Sequence, residues 1–211
     1  MKEIQRFNSK KNTVSLIEHE GNKFVKKLFN SPKNYITERD FYLNTNNEQL
    51  AKPTLLKYNN EQSTLYLEYI EGNTLLHELE QCELNNHKEE ACQLLYKLVD
   101  YLADFNELRY IQEQQMCFND LNLRNFLVYN NKIIAIDFED IKQGLIISDM
   151  AKIVAMYLVY SPSFTEFKIQ VTKHVKQYIS QKLAISIKAI DTQITHENKI
   201  IAERRAKKGV K

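Results

Sequence analysis

Glycine and proline are scarce in this chain, four and three in 211 residues, and tryptophan is absent. Asn, Lys and Ile abound instead, a compositional bias that carries no function by itself. No segment is rich enough in glycine to let backbone amides approach a phosphate closely. The three cysteines, Cys82, Cys92 and Cys117, are odd in number and lack metal-ligand spacing. A reduced, cytoplasmic thiol set is the simplest account. Formal net charge is only +2, so no global field argues for nucleic acid or a membrane surface. No apolar run approaches the ~20 residues of a membrane span. The opening MKEIQRFNSKKN has no apolar core, so no signal peptide is expected. Five histidines (His19, His77, His87, His174 and His196) are scattered without ligand spacing. The length is enough for one ample core or two small lobes.

What is present concentrates between Met116 and Glu139, in MCFNDLNLRNFLVYNNKIIAIDFE. Phe126-Leu127-Val128 and Ile133-Ile134-Ala135-Ile136 have strand composition, and Tyr129-Asn130-Asn131-Lys132 between them reads as a hairpin turn. Asp120 precedes the first strand and Asp137 follows the second, so the hairpin brings two carboxylates together, with Asn125 between them. Oxygen ligands of this kind suit a hard cation and the orientation of a hydroxyl. Asp and Asn are also common turn residues, and D-x-x-x-x-N alone is a weak signal.

The whole order N-D-L-x-x-x-N, strand, turn, strand, D-F is more specific. It resembles the catalytic and metal-binding loops of the protein-kinase-like superfamily, H-x-D-x-x-x-x-N followed by D-F-G. Asp137-Phe138-Glu139 is most similar to its small-molecule branch, the aminoglycoside and choline kinase-like phosphotransferases, where D-F-E is frequent. The resemblance implies one α+β, bilobal kinase-like domain over residues 1–211: a small antiparallel β N-lobe over 1–70, a hinge near 68–72, and a mainly helical C-lobe over 73–211.

Other segments fit that frame. Thr13–Ile17 and Lys23–Phe29 alternate across a turn at His19-Glu20-Gly21-Asn22. Phe24-Val25-Lys26-Lys27-Leu28 resembles the strand that carries a phosphate-binding lysine, which favours Lys26, with Phe24 on the same face. Lys27, with Val25, is the alternative. A helix is expected from Asn34-Tyr35, after Ser31-Pro32, with Glu38 as the lysine's partner and Asp40 as the fallback. Lys52-Pro53 closes that region. Thr54–Tyr58 and Thr64–Ile70 read as strands, and Leu65-Tyr66-Leu67-Glu68-Tyr69-Ile70-Glu71-Gly72 resembles a kinase hinge. There Glu68, Tyr69 and Ile70 would serve adenine through their main chain. From Lys88 to Arg109 the stripe Ala91, Leu94, Leu95, Leu98, Leu102 and Phe105 predicts a buried helix. Ser148-Asp149-Met150-Ala151 resembles the start of a helix that braces the catalytic loop, with Asp149 as its N-cap. Helices are expected over Met150–Tyr160, Thr165–Leu183 and Ala189–Lys207.

The chemistry implied by the resemblance is phosphoryl transfer from ATP with Mg²⁺ to a small-molecule hydroxyl. Asp120 would be the catalytic base, Asp137 and Asn125 would hold Mg²⁺, and Lys26 steadied by Glu38 would bind the α- and β-phosphates. Three departures stand out. Phe7–Thr13, in the place of the glycine-rich loop, has no glycine, and Ser9 or Lys10 would have to stand in. Phe118 replaces the loop histidine, and Glu139 replaces the glycine after Asp-Phe. Asn122 also falls where these enzymes often carry a charge-supplying residue, with Arg124 as a substitute in the same loop. The run from Asp137 to Asp149 is too short for a long regulated activation loop. Two alternatives remain at this level. One is a compact atypical Ser/Thr protein kinase or ATPase linked to tRNA modification, which the size and the basic tail over 199–211 resemble. The other is a non-catalytic nucleotide-binding scaffold. The tail reads as a solvated helix end, or else as a contact for RNA or a protein partner.

Overall fold

A computed structural model describes residues 1–108 and 114–207. Strands β1 (Lys2–Phe7), β2 (Thr13–His19), β3 (Asn22–Leu28), β4 (Leu55–Asn59) and β5 (Thr64–Glu68) form one antiparallel sheet in the order β1-β2-β3-β5-β4. Glu20 and Gly21 at the β2–β3 turn both have positive φ, 52° and 78°, the geometry that matches the twist of paired strands. β1 was not legible in the sequence. Its residues are almost all exposed, so it carries no apolar alternation and forms by pairing with β2.

Helix α1 (Pro32–Asn44) crosses from β3 to β4. Ser31 caps it by accepting the Asn34 N–H, and Pro32 stands in the first turn, where its missing donor costs nothing. Tyr35, Glu38, Phe41 and Tyr42 are its buried face. The helix stops at Asn44, well before Lys52-Pro53. The Asn46 side chain accepts the N–H groups of Glu48 and Gln49, a local turn that competes with helical hydrogen bonds.

The chain enters the second lobe through Gly72 and β6 (Asn73–Thr74), and Thr74 caps α2 (Leu75–Leu84). Helix α3 (Lys88–Glu107) buries every residue of the anticipated stripe; Arg109 lies outside the described residues. β7 (Met116–Phe118), a 3-10 turn at Leu123–Asn125, β8 (Phe126–Tyr129), β9 (Lys132–Ala135) and β10 (Ile141–Gln143) follow. Asn130 and Asn131 turn β8 into β9 with φ of 47° and 64°. Helices α4 (Ile146–Val159), α5 (Glu166–Leu183) and α6 (Ile187–Lys207) complete the lobe. The expected α+β arrangement, a β-rich N-lobe and a mainly helical C-lobe, is therefore present. No helix among the described residues is long and apolar enough to cross a membrane.

The two lobes share one apolar core. Phe41 of α1 stacks on Phe138 at 4.1 Å between ring centroids, Phe105 of α3 packs on Phe118 of β7 at 4.5 Å, and Phe41 meets Phe105 at 5.8 Å. All four rings are buried. This aromatic cluster ties α1 to the segments on either side of the β8–β9 hairpin, and so sets Glu38 against Asp137.

Candidate functional site

The hairpin does what its composition implies. The Ile136 N–H donates to the Asn125 carbonyl at 3.0 Å, and the Asn125 N–H donates to the Asn122 carbonyl at 2.8 Å. Asn119 donates through its backbone to the Asp140 carbonyl and through its side chain to the Asp140 carboxylate, at 2.9 and 3.0 Å. These bonds hold the ends of the two acidic segments side by side. Asn125 Nδ2 then reaches Asp137 Oδ2 at 3.3 Å. Asp120 stands at the mouth, its side chain about half exposed at 52%.

The lysine in this site is Lys27, a correction to the preference for Lys26. Lys27 Nζ lies 2.7 Å from Glu38 Oε2 and 2.8 Å from Asp137 Oδ1, and its side chain is only 6% exposed. Strand alternation sends Lys26 to the other face of the sheet, where Phe24 meets the Tyr66 ring. Val25, on the Lys27 side, packs against the core. Glu38 is thus the lysine's partner, and it also accepts the Phe138 N–H at 3.3 Å. Asp40 pairs instead with Arg39.

The electrostatics follow from burial against pairing. Burial opposes the Lys27 charge, yet Glu38 and Asp137 hold its pKa well above that of an ordinary lysine. Burial would raise Asp137, but Lys27 overrides it and holds the carboxyl below its usual value. Burial pushes Glu38 up to about 8, with Lys27 pulling against it.

Glu139, buried at 5%, joins this group. Oxygens of Glu38, Asp137 and Glu139 lie within 4.8 Å of one another. With the Asn125 amide they make an all-oxygen donor set, chemically fit for a hard divalent cation at Asp137. The loop between β1 and β2 closes over it. Asn12 donates to Glu139, and Lys11 Nζ sits 3.6, 3.5 and 3.9 Å from Asp120, Glu139 and Asp140. The space left among Lys11, Phe118, Asp120, Asn125, Asp137, Glu139 and Asp140 is about 10 Å³, room for about one water. Any group larger than a water would need this loop to rise. Lys11, rather than Ser9 or Lys10, is the loop residue aimed inward.

A second layer supports the Phe118–Asp120 segment. Asp149 accepts the Phe118 N–H at 2.9 Å, and Lys152 donates to the Phe118 carbonyl at 2.7 Å. The bracing role expected for Asp149 is present, but it is not the N-cap, because α4 begins earlier, at Ile146. Tyr160 donates its hydroxyl to Asn122 Oδ1 at 2.8 Å and accepts the Leu123 N–H at 3.3 Å. The Arg124 guanidinium lies over the Tyr160 ring at 5.3 Å. At the hinge the Glu68 N–H is taken by the Thr54 carbonyl, the Glu68 carboxylate holds Thr54, and the Ile70 carbonyl accepts the Gly72 N–H. A Cβ on Gly72 would meet the Val128 carbonyl oxygen at 2.7 Å, so the close crossing of hinge and β8 requires glycine there. Of the anticipated residues, Glu38, Asp120, Asn125 and Asp137 converge, Glu68 and Ile70 lie at the hinge, and Lys26 stays outside. Lys11, Asn12 and Tyr160 carried no local signal. Glu139 stood in the D-F-E motif but could not be seen as a buried acid.

Solved structures of small-molecule kinases share this fold. The gentamicin complex of APH(2")-IIa aligns with a TM-score of 0.59 at 15% identity, covering 87% of this chain and 76% of its own. A thermostable mutant of aminoglycoside phosphotransferase APH(4)-Ia, bound to AMP-PNP and hygromycin B, aligns at 0.56 and 14% identity, covering 90% and 82%. Amicoumacin kinase hAmiN, in complex with AMP-PNP, Ca²⁺ and Ami, aligns at 0.51 and 14% identity, covering 84% and 72%. No protein-family model and no curated protein matches the sequence. The chain thus has a protein-kinase-like fold whose structural neighbours include aminoglycoside kinases.

Proposed function

We propose that this protein is a phosphotransferase that moves the γ-phosphate of ATP to a hydroxyl of a small-molecule acceptor. The observation that carries the reading is the Lys27–Glu38–Asp137 arrangement, with Asn125 bound to Asp137 and Asp120 open at the mouth. A buried lysine ammonium held by two carboxylates is suited to the α- and β-phosphates, and Asp137 with Asn125 to Mg²⁺. When bound, Mg²⁺ would neutralise charge on the phosphates. Asp120 orients the acceptor hydroxyl and takes its proton as the oxygen bonds to the γ-phosphorus and the bond to the ADP oxygen breaks. The structural neighbours crystallised with AMP-PNP, gentamicin or hygromycin B agree with a nucleotide donor and a small acceptor. The interval after Asp137 is taken up by β10, paired with β7, which leaves no long loop for phosphorylation to order.

The test separates base from metal ligand. Asp120→Asn should lower turnover by about 10²–10⁴-fold while Mg²⁺-ATP affinity stays near that of the parent. Asp137→Asn should lose turnover and Mg²⁺-dependent binding together. Calorimetry measures affinity, and ATP hydrolysis or transfer measures turnover. A parent protein that shows no Mg²⁺-dependent ATP binding at millimolar nucleotide would overturn the reading in favour of a scaffold.

A further inference from the structure

We propose that Lys11 is the γ-phosphate-binding cation of this protein, supplied by the β1–β2 loop in place of the glycine-rich backbone and of a charged residue in the catalytic loop. The inference rests on the ATP-dependent reading above.

Three observations converge on it. First, the loop from Asn8 to Asn12 is anchored by side chains. The Asn12 N–H is taken by Ser9 Oγ at 3.2 Å, Asn30 donates to Asn12 Oδ1 and to the Lys11 carbonyl at 3.4 and 2.5 Å, and Asn12 Nδ2 reaches Glu139. The Asn12 N–H is thus spent inside the loop instead of being offered to a phosphate. The charged group that the loop presents inward is the Lys11 ammonium.

Second, that ammonium stands where transferred charge would develop. It is 3.6 Å from Asp120, the residue assigned to the acceptor hydroxyl, and 3.5 Å from Glu139, which lies beside Asp137. A side chain half exposed and bridging the two acidic segments is placed to turn to a phosphate between them once the loop rises.

Third, the catalytic loop supplies no competing cation. Asn122 is neutral, and its amide oxygen is occupied by the Tyr160 hydroxyl. Arg124 rests on the Tyr160 ring. Around the site Glu38, Asp120, Asp137, Glu139 and Asp140 form ion pairs only with Lys27 and Lys11 among the described residues. Lys27 is deeply buried, and Lys11 is the one nearer the mouth. A doubly charged γ-phosphate entering this acidic surface needs a mobile cation beside it, because a charge-assisted contact there is about twice as strong as a neutral one.

The experiment compares ATP with ADP. Calorimetry in the presence of Mg²⁺ gives both affinities for the full chain and for Lys11→Ala, Lys11→Arg and Lys10→Ala. Lys11→Ala should weaken ATP about 10–100-fold and ADP by less than about threefold, because only ATP carries the γ-phosphate. Lys11→Arg should restore most of the ATP affinity, and Lys10→Ala should leave both nucleotides unchanged. Equal losses for ATP and ADP, no loss at all, or tighter ATP binding by Lys11→Ala would each overturn the inference; the last would make Lys11 a plug. If the parent binds neither nucleotide, the phosphotransferase reading falls and takes this inference with it. If the parent binds both and Lys11→Ala matches it, only the role of Lys11 falls.

Discussion

Replacing Lys27 with methionine tests the electrostatic core of the site. Methionine keeps most of the side-chain volume and removes the charge. In the folded protein this leaves Glu38, whose side chain is 0% exposed, without its cation beside Asp137 and Glu139. Breaking a buried ion pair from one side costs about 3–5 kcal/mol, a large part of the ~5–15 kcal/mol that stabilises a typical domain. The cost has a pH signature. Burial already pushes Glu38 up to about 8 against the pull of Lys27, and without that pull the carboxyl rises further. Folded Glu38 then holds its proton to higher pH than the unfolded chain does, so stability falls as pH climbs from about 4.5, the ordinary value, towards and past 8. The parent shares that decline up to about 8, so the extra deficit of Lys27→Met from this carboxyl should open above about pH 8 and be least below it. Adding Glu38→Gln should recover part of it in alkali, where the stranded carboxyl would otherwise ionise. Lys26→Met, on the opposite face, should stay within about 0.5 kcal/mol of the parent. Urea unfolding across pH 5–9 reads all four proteins. A Lys27→Met deficit no larger than that of Lys26→Met, or one that grows as pH falls, would refute the burial-and-pairing argument.

Two further outcomes are expected. Burial raises Asp149 to about 6, with Lys152 and the Phe118 N–H pulling it down. The folded residue thus keeps its proton above the unfolded value of 3.8, and its contribution to stability declines by up to about 3 kcal/mol between pH 4 and 6. Asp149→Asn should lack that decline, so the parent's stability relative to the variant falls over this window; a constant difference in denaturant titrations would contradict it. Gly72→Ala drives a methyl group to 2.7 Å from the Val128 carbonyl. It should cost about 1–3 kcal/mol by overpacking, read as a lower thermal midpoint, and an unchanged midpoint would show that the hinge yields freely.

The β8–β9 hairpin and helix α3 were legible in the sequence because their information is local. Two short apolar strands around Asn130-Asn131 leave little choice of pairing, and that pairing brings Asn125 to Asp137 and the segment of Asp120 near both. The apolar stripe of α3 repeats at helical spacing and needs a core to cover it. What lay beyond the sequence was whatever depended on which surface another element covers. Lys26 and Lys27 have apolar neighbours on both faces of β3, Phe24 on one and Val25 on the other, so alternation could not say which lysine turns inward. The packing of α1 against the sheet, pinned by Phe41 on Phe138, puts Glu38 on the Lys27 side and settles it. Lys11 and Glu139 are 128 residues apart in sequence but 3.5 Å apart in space, and no period or spacing in the chain encodes that meeting. Asp149 suited a helix cap by composition, yet the apolar Ile146 and its neighbours extend α4 past it and leave its carboxylate to hold Phe118. Local pattern determined the elements and the paired acids; long-range packing decided which charges face one another, because burial and proximity set their energies.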